Sequence, residues 1–505
     1  MKRLKSLREY LDRLKELGDL RTVSAIVDTH LEIGAIIRHS TENREPAPFF
    51  SNIRGYSKEF RVVGAPGALS SIPGHPWARI ALALGLPIDT EPLDIVERVA
   101  RAKDNTPIPP VVVESGPCQD NVLIGEEADI TIFPTPLIHD GDGGRYFQTW
   151  GSWILSTPDG SWTNWSIARA MIHDRRHLTG FIPPTQHNGM IHKKWIDKGE
   201  PMPFALAQGG EPIIPLISGM SLPYGVAEAD FIGGYWGEPL EVVKCKTVDL
   251  YVPAEAEIVV EGFVLPDTSF LEGPMGEYTG YQHGHPEPMP AYEITAITYR
   301  DNAILPVVSA GKPIDDDHTV FSILDSAEYL HLLREKGFPI THAWILPESA
   351  AHAVVITVPY GWWNTVGHTD SSKFCRDLAA ELMTSHAAGN LAQIFVMDDD
   401  IDPVDMLDVM WGFASRCNPR TGHDWVANEQ AVHIMILYTE EERYRFTGST
   451  HIYNCLLRIG TDRATPASFD SLFQHSVKAR ALTIWNNPDE GIPEEPSILQ
   501  TADKG

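Results

Sequence analysis

Two glutamates lie five positions apart in the run Leu271-Glu272-Gly273-Pro274-Met275-Gly276-Glu277-Tyr278. The glycines and proline between them bar a regular helix and predict a tight, fixed loop. Carboxyls held near one another push their pKa values apart, which leaves one able to give a proton near neutral pH. Upstream, Trp162-Thr163-Asn164-Trp165-Ser166-Ile167-Ala168-Arg169 strings together an amide, a hydroxyl and a guanidinium. These are donors for a phosphate or carboxylate, and Arg169 can grip such an anion through two parallel bonds. Taken alone, the acids equally suit a glycosidase or a solvated turn, and the upstream run equally suits a strand with a wet polar face.

Such residues need elements to hold them. Leu4, Leu7, Leu11, Leu14 and Leu17 form one helical stripe that Gly18 ends. A short strand and a helix over 28–39 follow, and the alternation continues to about residue 105, which predicts an N-terminal α/β domain over 1–110. Pro107, Pro109 and Pro110 mark a linker. From 111 to 310, short β-rich runs such as Ile258-Val259-Val260 and Ala296-Ile297-Thr298-Tyr299 alternate with Gly/Pro turns, the texture of an antiparallel barrel or sandwich. Over 320–465 a helix at 322–336 and apolar strands at 353–358 and 394–397 predict a second α/β domain. An amphipathic helix over 469–485, suited to docking, and a tail complete the chain at 466–505. The fold class is therefore mixed α/β and β.

Composition narrows the function. The chain has 505 residues, 43% hydrophobic and 21% charged, which is ordinary for a globular enzyme of two or three domains. A net charge of −28 with no basic run beyond the first helix argues against nucleic acid. No stretch of about 18 apolar residues occurs, so no membrane span is expected. The opening Met1-Lys2-Arg3-Leu4-Lys5 is too charged for a signal peptide, and five scattered cysteines without a CxxC fit free thiols. Together these predict a cytoplasmic protein.

Other motifs say less. His283-Gly284-His285 reads as a surface loop more readily than as a chelate, and Gln186-His187 after Pro183-Pro184 holds one histidine that is as easily structural. Asp398-Asp399-Asp400 and Asp402 lack the glycine and distal glutamate of a calcium loop. No dinucleotide fingerprint, P-loop or nucleophile elbow is present.

Several segments in order resemble the UbiD family of reversible decarboxylases, nearest its ferulic/cinnamic acid decarboxylase branch. They are Pro134-Thr135-Pro136-Leu137-Ile138-His139 with Asp142-Gly143-Gly144, then residues 163–171, 183–187, 224–229, 241–245, 249–254 and 272–280. The resemblance implies a central split β-barrel holding prenylated FMN, supplied by a flavin prenyltransferase. It implies a divalent metal, Mn2+ or Mg2+, on Asn164, His187 and Glu228. K+ would sit on the carbonyls of Trp165 and Met220 beside Glu228. Asn164, Ser166, Ile167, Ala168, Arg169, Gln186, His187, Ser218, Gly219, Met220 and Glu228 would line the cofactor. Arg169, Glu272 and Glu277 match the family's catalytic network, with Glu277 protonating the carbon that loses CO2, and Arg169 and Glu272 orienting the carboxylate. The substrate class implied is an aromatic, heteroaromatic or α,β-unsaturated acid, and the assembly a homodimer or higher oligomer built through the C-terminal domain. Two rival readings stay open: a plain-FMN oxidoreductase on a similar barrel, and a flavin-binding scaffold subunit of a larger carboxylase.

Two positions depart from the family pattern. Ala387 stands where relatives carry a phosphate-contacting lysine, and Lys312 or the metals are the expected substitutes. The substrate wall, read as Asp317, Phe321, Leu391 and Val432-His433-Ile434, has a bulkier Phe321, which favours a compact, flat acid. Asp317 or His433 could then bond a ring NH or OH.

Overall fold

A computed structural model describes residues 2–459 and 464–488. Residues 2–456 belong to one compact unit. The N-terminal helix Leu7–Glu16 is capped by the Ser6 side chain and buries Leu7, Tyr10, Leu11 and Leu14, as the leucine spacing requires. The second helix runs Glu32–Glu42, later than expected, because Asp28 is spent in the turn before it, where its backbone N–H donates to Glu32. The N-terminal sheet has four strands: Leu20–Val23, Ala47–Phe50, Arg61–Gly64 and, parallel to the last, Ile304–Val307. The fourth strand thus comes from beyond the central region.

That central region is a nine-stranded antiparallel sheet curled into a half-barrel. Its spine is the long pair Ala256–Glu272 and Glu287–Tyr299, flanked by Met202–Gly209, Gly151–Ser156 and Thr163–Ser166 on one side and by His177–Thr179, Ala170–Asp174 and Tyr146–Gln148 on the other, with Asn121–Ile124 also paired to Glu287–Tyr299. One apolar core runs from Ile33, Ile37 and Val62 in the N-terminal layer through Phe133 and Phe147 to Trp153, Phe204 and Ile294 in the half-barrel. The two layers are therefore fused rather than merely tethered.

After the half-barrel comes the helix Asp316–Glu335. It starts six residues before the expected position. Asp315 caps it, accepting from Asp317 N–H, while His318 returns a bond to the Asp315 backbone, so the acidic run forms the first turn rather than a loop. The C-terminal layer is a five-stranded sheet in the order His342–Ile345, Ala353–Val358, Gln393–Asp398, Gly448–Cys455, His423–Asn428, parallel at its centre. The strands expected at 353–358 and 394–397 are both in it.

The second unit begins at Leu457. In it the single helix expected over 469–485 is two helices, Phe469–Leu472 and His475–Asn486, because Phe473 is extended. Residues 489–505 of the expected tail lie outside the described residues.

Candidate active site

Glu272 is the last residue of the strand Ala256–Glu272. Gly273 follows at φ +82°, a conformation that glycine adopts without strain, and turns the chain off the sheet. Glu277 is held inside the resulting loop, its N–H donating to the Tyr281 carbonyl at 3.1 Å. Arg169 leaves the end of Thr163–Ser166, where Ile167 N–H donates to Ser218 O and the Trp153 indole N–H donates to Ala168 O at 2.7 Å. Two chain segments 103 to 108 positions apart in sequence thus meet.

The meeting is an ion-paired cluster. Arg169 donates from Nε to Glu272 Oε1 at 2.9 Å and from Nη2 to Oε2 at 3.1 Å, and its Nη1 pairs with Glu277 Oε1. Tyr146 donates its hydroxyl to Glu272 Oε1 at 2.7 Å. Burial works against the Arg169 charge, but Glu277 and Glu272 outweigh it and raise its pKa. Glu277 moves up as well: burial dominates, and Glu272 adds to it against the pull of Arg169. Glu277 is thus an acid biased toward its protonated form, beside a guanidinium whose other partner is Glu272.

Arg169 and Glu277 open onto a cavity of about 280 Å³, on the scale of ligand pockets. Of the residues singled out in the sequence, Asn164, Trp165, Ser166, Ile167, Ala168, Gln186, His187, Ser218, Gly219, Met220 and Glu228 also line it. Glu272 does not, and stands behind Arg169. Gly219 is required by packing, since a Cβ there would meet Val320 Cγ1 at 2.9 Å.

At one end sit the three side chains expected to hold a divalent metal. His187 and Glu228 each open a helix, His187–Lys198 and Glu228–Trp236, and Asn164 lies on the strand between Thr163 and Trp165. Glu228 accepts from Asn164 Nδ2 at 2.8 Å and from Trp165 N–H at 2.6 Å. Burial nevertheless pushes its carboxyl up to about 8, and burial with the nearby His386 holds the His187 imidazole down to about 4. Asn164 Oδ1 and Ser166 Oγ are buried without partners. A buried carboxyl, a neutral imidazole and an orphaned amide oxygen form a donor set that suits a hard or borderline divalent cation. Among the described residues no three His, Cys, Asp or Glu side chains are grouped so as to hold a metal ion, so the amide oxygen is essential to the set.

The other walls answer the remaining expectations. Asp317, Phe321, Val432, His433 and Ile434 line the cavity, but Leu391 does not. It is buried beneath, its carbonyl accepting from Thr450 Oγ1 at 2.6 Å. Ala387 lines the cavity, whereas Lys312 is exposed and outside the lining. Lys312 therefore does not stand in for the missing lysine. Arg169 is the one Lys or Arg among the lining residues, against the acids Glu228, Glu277, Asp317 and Asp325. Asp317 is raised well above the usual carboxylate range by burial and the neighbouring Asp315 and Asp316, and burial lifts Asp325 to about 7. Burial, Arg169 and His283 hold His433 down to about 3. His283 is no chelate: its Nε2 lies 3.0 Å from the Ile434 carbonyl.

Sequence reasoning missed Tyr146, Tyr278, Asp325 and His386. Tyr278 lines the cavity and donates to Asn390 Oδ1 at 2.6 Å. His386, also in the lining, stacks on His187 with ring centroids 4.6 Å apart. The one signal for Tyr278 was its place next to Glu277, and Tyr146 carried none, since its partner lies 126 positions away.

Comparison with known proteins adds three consecutive family matches. The N-terminal domain, the Rift-related domain and the C-terminal domain of 3-octaprenyl-4-hydroxybenzoate carboxy-lyase match residues 11–99, 111–313 and 318–452. The pyrrole-2-carboxylic acid decarboxylase of Pseudomonas aeruginosa is 39% identical over 485 residues, 95% of this chain and 97% of that protein. Ferulic acid decarboxylase 1 of Saccharomyces cerevisiae is 38% identical over 420 residues, 82% and 83% of the two chains. An evolved dimeric form of the UbiD-class enzyme HmfF from Pelotomaculum thermopropionicum, solved with prFMN, superposes with a TM-score of 0.76 at 25% identity, covering 94% of this chain and 100% of that one.

Proposed function

This chain belongs to the UbiD family of carboxy-lyases, and from that premise we propose that it decarboxylates a compact heteroaromatic or aromatic acid, reversibly and without net oxidation, using prenylated FMN. The observation that carries the reading is Arg169, bridging Glu272 and Glu277 at the wall of a cavity that the sequence-expected cofactor residues line.

The cavity's metal-end donors fit the phosphate end of such a cofactor with Mn2+ or Mg2+ on Asn164, His187 and Glu228, and with K+ on the Trp165 and Met220 carbonyls. Bound there, the modified flavin supplies the electron sink that a departing CO2 requires. The chain's own residues do the rest. Arg169 receives the substrate carboxylate, and Glu272 and Tyr146 fix the plane of its guanidinium. Glu277, biased toward its protonated form by burial, gives its proton to the carbon that CO2 has left. In the reverse direction it takes that proton back. A buried, partly apolar pocket around Phe321 and Ile434 excludes water, which keeps the carboxylate on Arg169 poorly solvated.

The substrate assignment rests on the wall. Burial and neighbouring acids bias the Asp317 carboxyl toward its protonated form, so it can accept from a ring NH or donate to a ring heteroatom, and Phe321 leaves space for a small ring. This agrees with the pyrrole acid acted on by the Pseudomonas relative. A homodimer built through the C-terminal domain, cofactor supply by a flavin prenyltransferase and a cytoplasmic site complete the proposal. The five free cysteines support a reducing compartment.

The test is co-expression with a flavin prenyltransferase, followed by CO2 release or H/D exchange over a panel of pyrrole, furan, phenolic and cinnamic acids. The expected outcome is turnover of a five-membered heteroaromatic acid, with none by Glu277→Gln although that variant keeps its flavin absorbance. Full turnover by Glu277→Gln removes it as donor. An unmodified FMN spectrum together with hydride transfer favours the oxidoreductase reading.

A further inference from the structure

The segment His139-Asp140-Gly141-Asp142-Gly143-Gly144 lines no part of the cavity, yet it is bonded to both sides of the loop that carries Glu277. Asp142 is buried. Its Oδ1 accepts from Gly276 N–H at 2.9 Å and from Gln282 Nε2 at 2.9 Å. Its Oδ2 accepts from His139 N–H at 2.9 Å and lies 3.2 Å from His139 Nδ1. Gly276 and Gln282 are themselves bridge partners, so one carboxylate closes the base of the loop in which Glu277 sits. Gly143 N–H donates to Pro274 O at 2.8 Å. A Cβ on Gly143 would stand 2.0 Å from Gly273 O, and one on Gly276 would stand 2.5 Å from His139 Nδ1. Both glycines are demanded by this approach.

Ser309, His139 and Asp142 form a hydroxyl–imidazole–carboxylate line, with Ser309 Oγ 3.3 Å from His139 Nε2. Ser309 is 1% exposed and is not in the cavity lining, so no substrate reaches it as a nucleophile. The line braces His139 instead, and His139 braces Asp142.

We propose that Asp142 is a positioning residue for the protonating acid: it ties down the 276–282 loop and places a fixed negative charge behind Glu277. The inference rests on the decarboxylase reading and deepens it. Burial favours protonation of Asp142, but the bonds from the His139 ring and backbone and from Gly276 N–H outweigh it and hold its pKa below the usual range. Asp142 therefore stays ionised at neutral pH. The charged and titratable groups around Glu277 are Arg169, Glu272, His283 and Asp142, together with Asp317 and the adjacent Tyr278. Among these Asp142 is a like charge that raises Glu277 without touching the cavity.

The experiment compares wild-type holoenzyme with Asp142→Asn for flavin absorbance, KM, kcat and the pH profile of kcat. The expected result is unchanged flavin content and KM, a kcat lower by about tenfold or more, and a high-pH limb moved to lower pH by roughly half to one unit, because a like charge near the donor is gone. A merely structural residue lowers kcat without moving the limb. The second variant, Gln282→Leu, removes only an exposed bond to the same carboxylate and is read by amide exchange over 276–282. Faster exchange with a lower kcat supports the loop role, and unchanged exchange overturns it. An active wild type whose Asp142→Asn variant keeps the same kcat and limb overturns this inference alone. A wild type that releases CO2 from no acid overturns the functional reading beneath it as well.

Discussion

Glu277 has burial and two like charges on one side and a guanidinium on the other, and the balance leaves its pKa raised. The sign of the pH dependence follows. The protonated form is the donor, so activity is full below that pKa and is lost as pH rises through it, which a kcat–pH profile will show as a falling alkaline limb. At the opposite wall, Asp317→Ala is expected to lower kcat/KM for a ring-NH acid relative to its ring-oxygen analogue by about tenfold, the loss of one buried bond. Paired kinetics on pyrrole and furan acids check it, and an unchanged ratio dismisses Asp317 as the selector. Residue types alone told only that two acids and an arginine were available, and the family resemblance joined them. Tyr146 stayed invisible because a phenol on a strand has no spacing signature. Leu391 was misplaced because an apolar residue near a cavity reads the same whether it faces the space or lies under its wall.

The helix Asp316–Glu335 shows what local reading gains and loses. Its apolar later turns were legible, but its first turns were not, since three consecutive aspartates look like solvated loop until Asp315 is seen as the cap. Asp315 also pairs with Arg38 at 3.2 Å and with His318 at 2.7 Å. Asp315→Ala therefore removes a cap, worth about 1 kcal/mol, and breaks a buried charge network, so a total loss of about 3 kcal/mol or more is expected in denaturant unfolding. Burial opposes the Asp315 charge, yet His318 and Arg38 hold its pKa below the ordinary 3.8. Its contribution is thus complete above that ordinary value and disappears as pH falls through the lower folded one. Acid titration of unfolding will show this as a loss confined to the acidic side, smaller in Asp315→Asn. The long strands Ala256–Glu272 and Glu287–Tyr299 were seen only in the short apolar stretches 258–260 and 296–299, because the remainder of each is held by pairing rather than by composition.

Across the whole molecule the charge balance is the governing fact. The chain carries −28, and its cavity pairs one arginine with four acids. A dianionic cofactor end placed there, without a lysine at Ala387, must draw its counter-charge from bound cations. Chelation followed by gel filtration is expected to strip flavin from the wild type, while Ala387→Lys retains a larger share, read by absorbance. Equal loss from both denies this dependence. The α/β–β–α/β succession was legible from the change in texture along the chain, but the crossing of Ile304–Val307 into the N-terminal sheet was not, because four apolar residues cannot announce which sheet they will join. That crossing has a consequence during synthesis. The Arg61–Gly64 strand leaves the ribosome about 240 residues before its parallel neighbour, an interval on the order of 10–50 s at the usual elongation rate. Throughout it a bare strand edge waits for its complement, open to any chaperone or stray strand that reaches it first.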